Sequence, residues 1–488
     1  MKPSPAAREA ARVLQEHLRQ MSGAELPVIP ETEASDGPSP ERGWVLVGEG
    51  RLSRERGFGA ADLGPGGIRL EARGDMLALL GPDERTPSDP HGTMYAVTTF
   101  LEEKLGVRYL WPGESGKVVP KRGTIEVAEF RLAATPPLAQ RRIRNAGYGA
   151  GVQTGLDRLG FTAEEFKRRR TAAEATTSSS PDWFRWHKLG GTLGLASGHA
   201  FGRLWEKHGK AHPDWFALQP NGSRDQSRDP GRARLCVSNP GLIAAVSEEK
   251  IAELDANPEL LGVSIAPNDG GRLSFCSCPR CEALDAPAGP EVALAAYSGL
   301  GKREYKHVAL TDRMVYFWNA VAERVTTARP GKLLVVDAYS AYSTPPIARK
   351  LHPNLVVRFV PMNYLKESSR QEALRWWEDW SRAARRIYYR PNALLAGRSG
   401  AAYLFPRRFG ADFRAMSRDK MMMGTDFDSC QHHWATQGLN YYVAARLNWN
   451  PEQNVEAIVE DYGRSGFGPA AGPLGRYFSR LEALTGEA

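Results

Sequence analysis

Three groups of residues in this sequence have types and spacings suited to chemistry. The tripeptide Asn268-Asp269-Gly270 follows an apolar run, Leu261–Ala266. A carboxylate just past a parallel strand sits where barrel enzymes gather reactive groups. Cleavage of a glycosidic bond needs two carboxyls, one as acid and one as base or nucleophile. Asp426 and Asp428 lie two apart in Thr425-Asp-Phe-Asp-Ser429, so strand alternation would point both to one side. His432, His433 and Trp434 come next and add imidazoles and an aromatic face. Asp337 closes the run Leu333–Asp337 and is a fourth candidate acid. Each has a plainer reading: Asp269 can cap a turn before Gly270, and Asp428 or Ser429 can cap a helix.

Groups that could hold a polar ligand surround these acids in the chain. Asn268 adjoins Asp269, and His199 stands between Gly198 and Ala200 after the run Thr192–Ala196. Arg142 and Arg144 alternate with Arg141 and Ile143, so one pair must face away from the other. An arginine there could take a hydroxyl or a carboxylate; the alternative is a pair of solvated surface charges. Tyr339, Tyr342, Tyr389 and Trp434 are candidate sugar-stacking faces, or packing at a barrel rim.

The third group is sulfur. Cys236 precedes the close set Cys276, Cys278 and Cys281, and Cys430 stands apart. Four thiolates suit a structural zinc ion, although C-x-C-x₂-C is tighter than the common two-pair spacing. Two disulfides, or unpaired thiols, are the other readings. Five cysteines cannot all pair within one chain. No cofactor is expected for catalysis.

The bulk numbers set limits. At 488 residues the chain exceeds a single core and implies two or three domains. The 42% hydrophobic and 25% charged content is that of a folded globular protein. The net charge of +8 is spread along the chain, with one basic run at Lys167–Arg170, and no nucleic-acid motif accompanies it. No segment approaches the roughly 20 apolar residues of a membrane span. The opening residues lack the apolar stretch of a signal peptide, so localisation is open, as is oligomeric state.

The elements that must position these residues follow from periodicity. Ala10, Leu14, Leu18 and Met21 mark a helix over residues 1–22, with Gly23 as its cap. Strands are expected at Trp44–Val47, Ile68–Ala72, Met76–Leu80 and Thr124–Val127, with a hairpin turn at Gly74-Asp75. A second helix follows His91-Gly92. After Pro136-Pro137, eight strand candidates alternate with helical patterns: Arg141–Arg144, Thr192–Ala196, Leu235–Val237, Leu261–Ala266, Leu333–Asp337, Leu355–Val360, Arg386–Tyr389 and Met421–Thr425. Eight in alternation predict a (β/α)₈ barrel of the TIM type. Residues 146–185, with the polar stretch Thr176–Ser180, read as a long loop. The tail is helical. The expected architecture is α/β: a small α/β domain over 1–135, a barrel over 136–448 and C-terminal helices over 449–488.

Several phrases carry a resemblance. His91-Gly-Thr-Met-Tyr-Ala-Val97 and Gly106-Val-Arg-Tyr-Leu-Trp-Pro112 are similar to the N-terminal domain of family 67 α-glucuronidases and family 20 hexosaminidases. Ser197-Gly-His-Ala-Phe201, His212-Pro-Asp-Trp-Phe-Ala217, Leu235-Cys-Val-Ser-Asn-Pro240, Asn268-Asp-Gly270 and Cys276-Ser-Cys-Pro-Arg-Cys281 complete a set that resembles the bacterial "domain of unknown function 4838" family over residues 5–485. The resemblance implies a glycoside-hydrolase-like protein acting on a glycan, uronic-acid-containing glycans among the candidates. The rival is a carbohydrate-binding barrel without catalysis. The resemblance also implies export, and an additional strand upstream of the first helix. One departure limits it: family 67 enzymes use glutamates, whereas this chain has Asp269 near its fourth strand and ends its seventh in Tyr388-Tyr389-Arg390.

Overall fold

A computed structural model describes residues 4–34, 43–83, 91–145, 162–190, 193–270, 273–295, 304–394, 402–430 and 433–487. The chain divides into two compact units, one of residues 1–192, 393–415 and 427–488, the other of residues 193–392 and 416–426. Among the described residues no helix is long and apolar enough to cross a membrane.

In the first unit, helix Pro5–Ser22 begins where Ser4 Oγ accepts the Ala7 N–H and ends at Gly23, whose φ of 80° suits a residue without Cβ. It packs on helix Gly92–Glu103. Strands β1 (Trp44–Val47), β2 (Ile68–Arg73) and β3 (Met76–Leu80) form as expected, with β2 and β3 antiparallel around Gly74-Asp75. Short strands β4 (Arg108–Tyr109) and β5 (Lys117–Val118) pair separately. The strand expected at Thr124–Val127 does not form; β6 (Phe130–Ala134) pairs with β2 in its place and gives the order β1-β3-β2-β6. Strand β7 covers Gln140–Asn145.

The loop expected across 146–185 is corrected by a helix over Ala163–Trp186; residues 146–161 lie outside the described residues. Thr162 and Glu165 form a capping box that starts it. Trp183 and Trp186, one turn apart and buried, anchor its end, so packing overrides the polar run.

A buried charge cluster joins this unit's helices. Glu102 accepts bonds from Trp186 Nε1 at 2.8 Å and Arg446 Nη1 at 2.9 Å, with Lys188 Nζ at 3.4 Å. Burial alone would raise the Glu102 pKa, but Arg446 and Lys188 outweigh it and hold the carboxyl well below the usual range. His187 is pushed down to about 3 by burial, with the Arg446 charge adding to the shift.

The second unit is built on parallel strands: β8 (Gly262–Ser264), β11 (Leu333–Ala338), β12 (Leu355–Phe359), β13 (Ile387–Tyr389) and β14 (Met422–Cys430). Their order is β14-β13-β12-β11-β8. A hairpin of β9 (Glu291–Ala295) and β10 (Glu304–Val308) lies apart from them. β11 and β12 are buried at nearly every position, as strands covered on both faces must be. Helices Pro240–Ala256 and Thr311–Ala328 pack together, and Pro240 starts its helix after Asn239 caps it. The class is mixed α/β: a curled, parallel half-barrel sheet with helices.

Two expected barrel strands are not formed. Of the expected strand Thr192–Ala196, the described residues 193–196 contribute a single bridge, Leu195 to Gly262, because Gly194, with φ of 62°, breaks the extended run. Leu235–Val237 is also not a strand. Leu235 pairs antiparallel with Phe216, the Cys236 N–H goes to the Trp215 carbonyl and the Cys236 carbonyl accepts the Asn239 N–H, so local bonds take these groups in place of a parallel neighbour.

Candidate active site and cysteine cluster

Parallel strands share a direction, so their C-terminal ends lie along one edge. Asp269 follows β8 by five residues, Asp337 is the next-to-last residue of β11, and Asp426 comes one residue after Thr425, which pairs with Tyr389 at the end of β13. Three of the sequence candidates therefore share that edge within the second unit.

Their environments differ sharply. Asp269 is half-buried. Its Oδ1 accepts the Gly270 N–H at 2.7 Å and the Tyr339 hydroxyl at 3.3 Å. Burial disfavours its charge, but the Gly270 amide, the nearby His199 ring, Tyr339 and Arg232 outweigh burial and lower the carboxyl below its usual range. An aspartate held ionised works as a base or nucleophile, or as an acceptor for hydroxyls. The turn-capping reading of Asp269 is thus also realised, through Gly270. His199 is exposed, and its Nδ1 donates to the Pro267 carbonyl at 2.6 Å, which directs Nε2 away from the backbone.

Asp337 and Asp426 are buried around Arg358, a β12 residue the sequence reading passed over. Arg358 Nε and Nη2 bind the Asp337 oxygens at 2.5 and 2.8 Å, and Nη1 lies 3.6 Å from Asp426. Tyr388, beside them on β13, is raised in pKa by burial and then by the Asp426 charge. Residues 337, 358 and 388 are in register across three strands, which is why they meet. The missed signal was an arginine inside the apolar run Leu355–Val360.

The remaining candidates spread out. Asn268 is a brace: its Oδ1 accepts the Phe201 N–H at 3.1 Å and its Nδ2 donates to the Ala233 carbonyl at 3.0 Å. Tyr389 is packed in the core, with its hydroxyl 3.0 Å from that of Tyr364 and its ring edge-on to Trp377. Tyr342 is likewise buried. In the first unit, Arg141 and Ile143 take the buried face of β7, and Arg142 and Arg144 the half-buried one. Asp428 is half-buried within β14, so it does not cap the following helix, where His433 occupies the N-cap position. Trp434 packs edge-on against Trp183 and Tyr441. His432 lies outside the described residues.

The four clustered cysteines meet. Cys236, Cys276, Cys278 and Cys281 are buried, with their sulfurs all within 4.8 Å of one another. None is in a disulfide, and Cys236 Sγ lies 3.7 Å from that of Cys278 and 3.8 Å from that of Cys281. The Leu218 N–H donates to Cys276 Sγ at 3.3 Å, and the Arg224 guanidinium faces Cys236 and Cys278. Four sulfurs at this separation could hold a metal ion.

A family model described as "Domain of unknown function (DUF4838)" matches residues 111–480. The chain belongs to the DUF4838 family. No curated protein matches it. Similar solved structures are family 20 hexosaminidases. The chitobiase of Flavobacterium johnsoniae is 12% identical, with 99% of this chain and 70% of that chain covered and a TM-score of 0.44. The N-acetyl-beta-hexosaminidase of Streptomyces plicatus is 14% identical, with 96% and 90% covered and a TM-score of 0.42. The beta-N-acetylhexosaminidase of Streptomyces coelicolor A3(2) is 12% identical, with 97% and 91% covered and a TM-score of 0.44. Within this DUF4838 chain, Arg232, Arg234 and Arg358 are the site-edge arginines that periodicity alone did not single out.

Proposed function

We propose that this chain is a glycoside hydrolase whose reactive edge is the C-terminal end of a (β/α)₈-type barrel, with segments 1–135, 136–448 and 449–488 as its domains. The observation that carries this reading is Asp269: an ionised, half-buried carboxylate at that edge, flanked by a tyrosine hydroxyl and an exposed imidazole. In the reaction Asp269 activates water or stabilises the oxocarbenium-like transition state, and Tyr339 keeps its carboxylate oriented. His199 Nε2 is placed to exchange a proton with the substrate. Arg232, exposed beside the Gly270 carbonyl, is the cation that would take a uronate carboxylate.

A second reading has its own support. Asp337 and Asp426 are both engaged by Arg358, which leaves Asp269 as the half-exposed acid of the three. A glycan-binding barrel without catalysis needs no more than one. Screening the protein on aryl glycosides and plant or algal polysaccharides, with binding measured beside hydrolysis, separates the two. Hydrolysis supports the enzyme, binding alone supports the second reading, and neither removes both.

We further infer that the cysteine cluster holds a structural zinc ion. Zinc–thiolate bonds of about 2.3 Å place tetrahedral sulfurs about 3.8 Å apart. The 3.7 and 3.8 Å separations match that edge, and a disulfide would need about 2.05 Å. The Arg224 guanidinium would offset the negative charge of four thiolates. Zinc would supply only cross-linking here. Elemental analysis with a thiol count under denaturing conditions tests it: about one zinc per chain supports the ion, and no zinc with a single reactive thiol establishes disulfides.

A further inference from the structure

We propose that Arg234 is a positioning residue that ties the metal cluster to Asp269, so that metal occupancy sets the order of the Asp269 loop. The proposal rests on the readings of the cluster and of Asp269 given above.

The geometry converges on this one side chain. Arg234 lies two residues before the ligand Cys236 and is buried. Its Nη1 donates to the carbonyl of Asn268, the residue before Asp269, at 2.7 Å. Its guanidinium stacks over Phe275, the residue before the ligand Cys276, 4.4 Å from the ring centroid. One planar group therefore touches the chain neighbours of Asp269 and of one cysteine while standing near a second. The backbone around it is fixed as well. Ala217 N–H donates to the Arg234 carbonyl at 2.9 Å, and the Arg234 N–H goes to Gln226 Oε1 at 3.0 Å.

A second path reaches Asp269 from its other side. Phe275 meets Tyr342 edge-on at 6.0 Å, Tyr342 bridges to Tyr339, and the Tyr339 hydroxyl bonds Asp269 at 3.3 Å. Ser340, in the turn between those tyrosines, has φ of 54°, a conformation that surrounding packing must hold. If the cysteines separate, Phe275 loses its fixed place. Arg234 then loses its stacking partner, and the Asn268 carbonyl its anchored donor. The half-buried Asp269 depends on backbone held by those contacts.

The test is hydrogen–deuterium exchange on the full chain as purified, before and after treatment with a zinc chelator, with zinc content measured in the same samples. In the wild type, chelation should speed exchange at the amides of Ala266, Asn268, Asp269 and Gly270 by about tenfold or more, while β11 and β12 change little. Arg234→Met should keep its zinc, exchange quickly at 266–270 from the start and respond little to chelation. Arg234→Lys, which restores charge and one donor, should recover part of the protection. If Arg234→Met fails to fold, Phe275→Leu removes the stack alone and should give the same pattern. Wild-type protein that holds zinc but shows unchanged exchange at 266–270 on chelation would overturn the coupling while sparing the metal reading. Protein that neither contains nor takes up zinc would overturn both.

Discussion

The Arg358 guanidinium grips both oxygens of Asp337, at 2.5 and 2.8 Å, with the two side chains only 1% and 4% exposed. A carboxylate held this way has little freedom to receive or deliver a proton to a substrate. Removing one partner strands the other as a buried charge. Arg358→Met is therefore expected to cost about 3–5 kcal/mol, and Asp337→Leu with Arg358→Met together clearly less than that. Denaturant unfolding measures both. A double variant as unstable as Arg358→Met alone would show that stranding Asp337 does not dominate the loss, since Asp426 also lies 3.6 Å from Arg358.

The first unit should weaken in acid before any carboxylate titrates. His187, pushed down to about 3 by burial, is neutral when folded and free to protonate when unfolded. Its depressed folded value means that stability falls as pH drops below the ordinary histidine value of 6.5. The loss at pH 5 is about 2 kcal/mol. Glu102, also depressed when folded, adds to the loss below the ordinary glutamate value of 4.5. Thermal unfolding from pH 7.5 to 4.5 should show this decline, and His187→Gln should flatten its upper part. An identical slope in that variant would rule out His187 as the cause.

Much of this arrangement was legible in the sequence. Apolar runs identified β8, β11, β12, β13 and β14 because strands buried on both faces tolerate few polar residues. Cys236, Cys276, Cys278 and Cys281 were grouped by type, and the fold brings them together. Long-range partners were not legible. That Arg358 would claim Asp337 and stand beside Asp426 depends on strand register, which hydropathy does not encode. The helix Ala163–Trp186 was hidden by its polar composition, although Trp183 and Trp186 carried the signal. The Leu235–Val237 run was short enough for local pairing with Phe216 to win over the barrel pattern.

Loss of a thiolate should act on stability first. Cys281→Ser is expected to abolish stoichiometric zinc and lower the unfolding temperature, because buried thiolates without their ion repel one another. Adding chelator to the wild type should lower it similarly, and adding it to Cys281→Ser should change little. A wild type unaffected by chelation, with zinc shown to be removed, would contradict a structural role.

Asp269 should be ionised throughout the neutral range. Its folded value is depressed, so its contribution is present above the ordinary value of 3.8 and is lost only as pH falls further. The carboxyl carbon shift of Asp269, followed by NMR, should have its midpoint below 3.8. A midpoint above about 5 would make it a resting acid and reverse the role assigned to it.

The most direct test of the central claim compares wild type with Asp269→Asn on whichever glycoside the screen finds cleaved. The substitution keeps the side chain's size and removes its charge. Turnover should fall by roughly 10²–10⁴-fold, with the fold and zinc content retained. Full turnover in Asp269→Asn would contradict the account.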